Sequence, residues 1–127
     1  MVRSPARSVL IVIVKVLSLL LVMSVYSVSA KVQEQDSSWC VANGQQSDAV
    51  LQSALDWACG LGQADCTAIQ PGMPCYLPNT VKDHASYAFN SYYQKFKSQG
   101  ASCDFNGAGI LTQSDPSHDS CKFDSNP

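Results

Sequence analysis

TVKDHASYAFNSYYQKF, residues 80–96, is the stretch that decides the fold. At about 100° per residue, Val81, Ala85, Ala88, Phe89, Tyr92 and Phe96 gather on one broad face, the stripe of an amphipathic helix. Asn79 or Thr80 can cap its start, with Asp83 three residues beyond Thr80 as a capping partner. The spacing predicts a helix running to about Ser98 and stopping at Gly100. Tyr93 falls at the margin of the apolar face. Tyr87 points nearly opposite, among Asp83, Asn90, Gln94 and Lys97.

That apolar face needs a partner, and the sequence offers one upstream. From Asp48 to Cys59, Val50, Leu51, Ala54, Leu55 and Ala58 recur at three- and four-residue spacing. Ser47 is a suitable N-cap, Asp48 complements the helix dipole, and Gly60 is placed to end the helix in a left-handed conformation. Between the helices, Leu61 to Pro78 holds three prolines and two cysteines, so an irregular connection is expected. Downstream, Ser102–Phe105 and Ile110–Thr112 flank Asn106-Gly107, which predicts a short antiparallel hairpin. Ordered structure should begin near Trp39-Cys40. The expected fold class is a small disulfide-rich α+β domain: two packed α-helices, a short antiparallel β-hairpin and long coil segments.

Residues 1–30 read as a secretory signal peptide. Arg3 and Arg7 give a positive start, Val9 to Val25 is apolar apart from Lys15, Ser18 and Ser24, and Val28-Ser29-Ala30 offers small residues before a cut ahead of Lys31. The apolar run after Lys15 is about ten residues, half of what a spanning helix needs. Residues 31–37 are expected to form a flexible arm, 38–123 the domain and 124–127 a polar tail.

Three of the eight basic residues fall in the leader and all ten acidic residues fall beyond it. Five cations against ten anions leave the exported part at a formal −5, with no Arg. Nucleic acid is therefore not expected as a partner, since its binding rests on cationic neutralisation of phosphates. An anionic membrane surface is disfavoured for the same reason. The polar segment Cys121–Pro127 gives no signal for a lipid anchor, so no membrane anchor is expected in the mature form. The product should be secreted and monomeric.

All six cysteines, Cys40, Cys59, Cys66, Cys75, Cys103 and Cys121, lie beyond the leader. An even count in so short an exported segment is first a disulfide framework. Zinc is disfavoured, because the nearest pair, Cys59 and Cys66, is seven positions apart and His84 and His118 stand alone. No metal or cofactor is expected. Catalysis is poorly served as well. Glycoside hydrolysis needs two carboxyl groups facing across a cleft, yet Glu34 is the only Glu and the Asp residues are scattered.

Several blocks taken together are similar to the plant X8 domain, also called carbohydrate-binding module family 43. They are Trp39-Cys40-Val41-Ala42, Ala54–Gly60, Asp65-Cys66, Ile69–Gly72, Cys75, Pro78-Asn79-Thr80, His84–Gln94, Cys103-Asp104-Phe105, and Asp115-Pro116-Ser117 with Cys121. The resemblance implies a non-catalytic module that binds β-1,3-glucans such as callose in the plant cell wall. It also implies the pairs Cys40–Cys103, Cys59–Cys66 and Cys75–Cys121, where sequence alone leaves fifteen connectivities open. On this reading Tyr87 and Tyr93, with Tyr76 or Phe105, form a stacking surface for pyranose rings, and Asp83, Asn90 and Gln94 supply polar contacts. One departure stands out: His118-Asp119 occupies the place where many members carry Tyr-Gly, and His118 brings a titratable group. The rival expectation is a secreted cysteine-rich signalling or structural protein with a protein partner; a hydrolase or its regulator is the third.

Overall fold

The computed structural model describes residues 5–27 and 37–126, and the chain forms two units, Met1–Glu34 and Gln35–Pro127. In the first unit, α1 (Pro5–Ser27) is continuous through Lys15. Its segment Pro5–Ser24 is long and apolar enough to cross a membrane, so the expected ten-residue limit does not hold. A helix with one central Lys is not interrupted by it, because Lys propagates a helix well. A signal sequence near an N-terminus has the same length and composition, and α1 is compatible with one. The expected cleavage site and all of the 31–37 arm except Ser37 lie outside the described residues.

In the second unit the order is β1 (Trp39–Ala42), α2 (Asp48–Cys59), α3 (Val81–Phe96) and β2 (Gly109–Thr112), with short 3₁₀ turns between them. Both helices start on hydroxyl caps. Ser47 Oγ accepts from the Val50 amide at 3.3 Å, and Thr80 Oγ1 accepts from the Asp83 amide at 3.1 Å. Thr80, rather than Asn79, is the cap, and its hydroxyl donates to the Asp83 carboxylate. After Phe96 the chain tightens into a 3₁₀ turn over Lys97–Gln99 and stops at the left-handed Gly100. The end of α2 differs from expectation. Gly60 has φ −97°, and the left-handed residue is Gln63, at φ 59°. The backbone turns later because the amides of Gly62 and Ala64 return to the carbonyls of Trp57 and Ala58.

α3 is the centre of the unit, packed on α2 along one side and on β1 along another. Phe89, Leu51, Ala58, Ala85 and Ala88 are buried in the core that these elements share. The expected hairpin is not formed. β2 pairs antiparallel with β1, Trp39 opposite Thr112 and Ala42 opposite Gly109, while Ser102–Phe105 is not a strand. Asn106-Gly107 does take left-handed φ, but inside a 3₁₀ turn over Phe105–Gly107. That turn brings the chain back hard against itself. A Cβ on Gly109 would lie 2.1 Å from the Cys103 carbonyl oxygen, so only glycine lets β2 begin there.

β1 has a second edge, and a helix occupies it. The amide of Ala42 donates to Ser86 Oγ at 3.0 Å, the amide of Cys40 donates to Asn90 Oδ1 at 3.1 Å, and Gln94 Nε2 donates to the Ser38 carbonyl at 2.7 Å. Two strand residues advance about 6.7 Å and four helical residues about 6.0 Å, so the rungs match. A stripe of side chains four residues apart on α3 thus replaces a third strand. Asn90 Nδ2 also donates to the Asp124 carbonyl, and Gln94 Oε1 accepts from the Asn126 amide. Covalent bonds brace the same frame: Cys40–Cys103, Cys59–Cys66 and Cys75–Cys121. These are the pairs that the resemblance implies.

Candidate functional site

The sequence places seven side chains in one binding surface, and the structure separates them. Tyr87 and Asp83 stay together. They line a groove of about 360 Å³ between the N-terminal half of α3, the strands and the C-terminal segment, with Lys82, Ser86 and His118 among its other polar residues. This lies within the roughly 300–1,000 Å³ of ordinary small-ligand sites. Apolar walls come from Leu77, Ile110 and Pro116.

Asn90 and Gln94 are not on that surface. They are 1% and 4% exposed, and their amides are committed to β1 and to the C-terminal segment. Tyr87 therefore does not stand among them. It is half-buried, with its ring edge-on to Phe123 at 5.3 Å between centroids. Helical projection sorts residues by polarity, and it sends an amide outward even where a strand edge needs one. Tyr93 lies elsewhere, with the Lys97 ammonium 5.7 Å from its ring centre. Tyr76 packs obliquely on His84, whose Nε2 is 2.7 Å from the Tyr76 carbonyl. Phe105 belongs to a different hollow, stacked on Phe89 at 4.2 Å.

Charge in the Tyr87 groove is mixed. Partial burial raises the Tyr87 hydroxyl above its ordinary pKa, and the carboxylates of Asp124 and Asp65 push the same way. His118 Nδ1 lies 3.0 Å from the Pro116 carbonyl and Nε2 lies 3.5 Å from the Leu77 carbonyl. Carbonyl oxygens only accept, so both contacts are satisfied when both nitrogens carry protons. The Pro116 carbonyl is the main reason that His118 titrates above 6.5. Burial opposes it, and the Leu77 carbonyl and the charges of Asp119 and Asp83 add smaller upward effects. Among the described residues, no three His, Cys, Asp or Glu side chains come together as metal ligands would.

Sequence reasoning passed over Trp57. It projects about 20° from Val50 on the helical wheel, at the edge of the apolar stripe of α2, and 43% of it is exposed. An indole at the margin of a stripe is the available signal.

The family model for the X8 domain matches residues 38–110. The chain belongs to the X8 domain family. Among its relatives, glucan endo-1,3-beta-glucosidase 4 of Arabidopsis thaliana is 58% identical over 87 residues, 68% of this chain and 17% of that enzyme's length. The major pollen allergen Ole e 10 of Olea europaea is 47% identical over 88 residues, 69% of this chain and 72% of the allergen. The X8 module is thus what this chain shares with the enzyme, and it spans about a sixth of the enzyme's length. The allergen matches over most of its own length.

Proposed function

We propose that this X8 protein is a non-catalytic binding module for β-1,3-glucan of the callose kind, exported to the plant cell wall. The observation that carries the reading is the convergence of Tyr87 and Asp83 in one groove, in a domain shared with enzymes named for endo-1,3-β-glucan cleavage. A pyranose presents a face of C–H groups to an aromatic ring and a rim of hydroxyls to polar neighbours. The Tyr87 ring supplies the first contact. Asp83, Ser86 and Lys82 supply acceptors and donors around it. The seven-residue surface expected from sequence contracts to this pair and the side chains beside it.

The refolded, oxidised domain should be retained on an insoluble β-1,3-glucan. Tyr87→Ala should weaken that retention about tenfold, equivalent to about 1.4 kcal/mol. Tyr87→Phe, which keeps the ring, should retain most of it. Failure of the unaltered domain to bind any glucan in a panel of insoluble polysaccharides would favour a secreted cysteine-rich protein with a protein partner. Release of new reducing ends from a soluble β-1,3-glucan would overturn the non-catalytic reading.

A further inference from the structure

A second groove lies across α3 from the first. It has a volume of about 620 Å³ and is floored by Trp57, Tyr92 and Phe105. We propose that it is a second carbohydrate-contact surface, and that the domain holds two β-1,3-glucan chains at once. This rests on the glucan-binding reading above and extends it from one chain to two.

The rings are displayed and rigidly held. Trp57 meets Tyr92 at 5.2 Å and 73°, and Phe105 at 6.0 Å and 74°. Both contacts are edge-on, and much of the indole remains uncovered. Phe105 has φ 45°, a conformation costly for a bulky side chain. Its stacking on Phe89 fixes it, as do the hydrogen bonds from the side chains of Asn43 and Gln46 to the Gly107 carbonyl. The Cys40–Cys103 bridge fixes the preceding residues. Behind the indole, a Cβ on Gly62 would lie 2.8 Å from Trp57 Cζ3, so the ring rests directly on backbone. A surface ordered in advance loses little freedom when a ligand arrives.

The chemistry fits a neutral polyol. Ser53, Ser102 and Asn106 provide hydroxyl and amide groups around the rings, and the lining contains an Asp but no cation. Trp57 and Tyr92 also border a neighbouring hollow of about 420 Å³ that continues to Phe96 and Gly100. The aromatic ridge therefore runs between two depressions, which suits a chain of sugar rings better than one ring.

The two grooves share no lining residue. Asp83 and Tyr92 are nine positions apart on α3, about 180° around the helix. Glucan on one flank leaves the other free, and a domain filled on both flanks ties two chains together.

The test is a titration of the isotopically labelled, oxidised protein with a linear β-1,3-gluco-oligosaccharide of six units, read residue by residue by NMR. The inference expects shifts at the Trp57 indole and at residues 102–106 as well as around Tyr87, with two oligosaccharides per domain. Trp57→Ala should remove the first set and leave the second, halving the stoichiometry. Ser53→Lys fills the groove from an exposed position of α2 without removing a packed ring, and it should do the same. Both variants should lose the ability to sediment soluble glucan into cross-linked aggregates while still being retained on insoluble glucan. Shifts confined to either groove, with one oligosaccharide bound, would overturn the two-chain inference and leave glucan binding standing. Absence of shifts anywhere would overturn both.

Discussion

Asn90 and Trp57 invert the usual arrangement of a small domain. The amide is 1% exposed and the indole 43%. The difference lies in what each flank of the central helix has to satisfy. Toward β1, α3 meets a strand edge with unpaired backbone groups, which must find partners, and side-chain oxygens at 86 and 90 take its amides. Toward α2 the neighbour is another helix with no free backbone groups. Packing there is apolar, and the aromatic surplus at the margin faces water. Polarity in this domain follows the hydrogen-bonding needs of the neighbour, and a polar stripe does not mark the wet face.

The largest expected effect comes from the inner rung. Asn90→Ala leaves the Cys40 amide and the Asp124 carbonyl without their partner, at a cost of about 3 kcal/mol. Thermal unfolding should show a fall of more than about 10 °C, with the disulfides intact. An unchanged melting temperature would break the contrast between the flanks. Ser86→Ala removes the outermost rung, which is only part-buried, and should cost about 1 kcal/mol. The smallest effect should be that of His118. Its folded pKa is raised above 6.5. Its contribution to stability is therefore complete below that value and lost as pH rises through the folded pKa. The melting temperature should decline slightly from pH 5.5 to 8.5, and His118→Gln should flatten that decline.

The sequence shows both helices and their hydroxyl caps, because caps and apolar periodicity are local signals. The strand pairing is not local. Ile110 could close a hairpin with the residues before Asn106 or pair with Val41 far upstream, and the choice depends on the Cys40–Cys103 bridge and on the close approach at Gly109. The disulfide partners were legible through family resemblance and not through spacing. Of the candidate site, Tyr87 and Asp83, which line one groove, are readable in the sequence as neighbours on one helix. Trp57 was not, since a Trp beside Val50 reads as core until the packing of Tyr92 and Phe105 shows how much ring is left over.

Gln94 holds both ends of the domain in one hand. Its amide nitrogen takes the Ser38 carbonyl and its oxygen takes the Asn126 amide, so the incoming and outgoing chain pass side by side. A unit of this kind can be threaded into a longer polypeptide like a bead on a doubled string, with little strain on whatever precedes or follows it. Joining residues 38 and 126 through a short flexible linker and opening the chain in the 61–78 connection should yield a circular permutant with the same three disulfides.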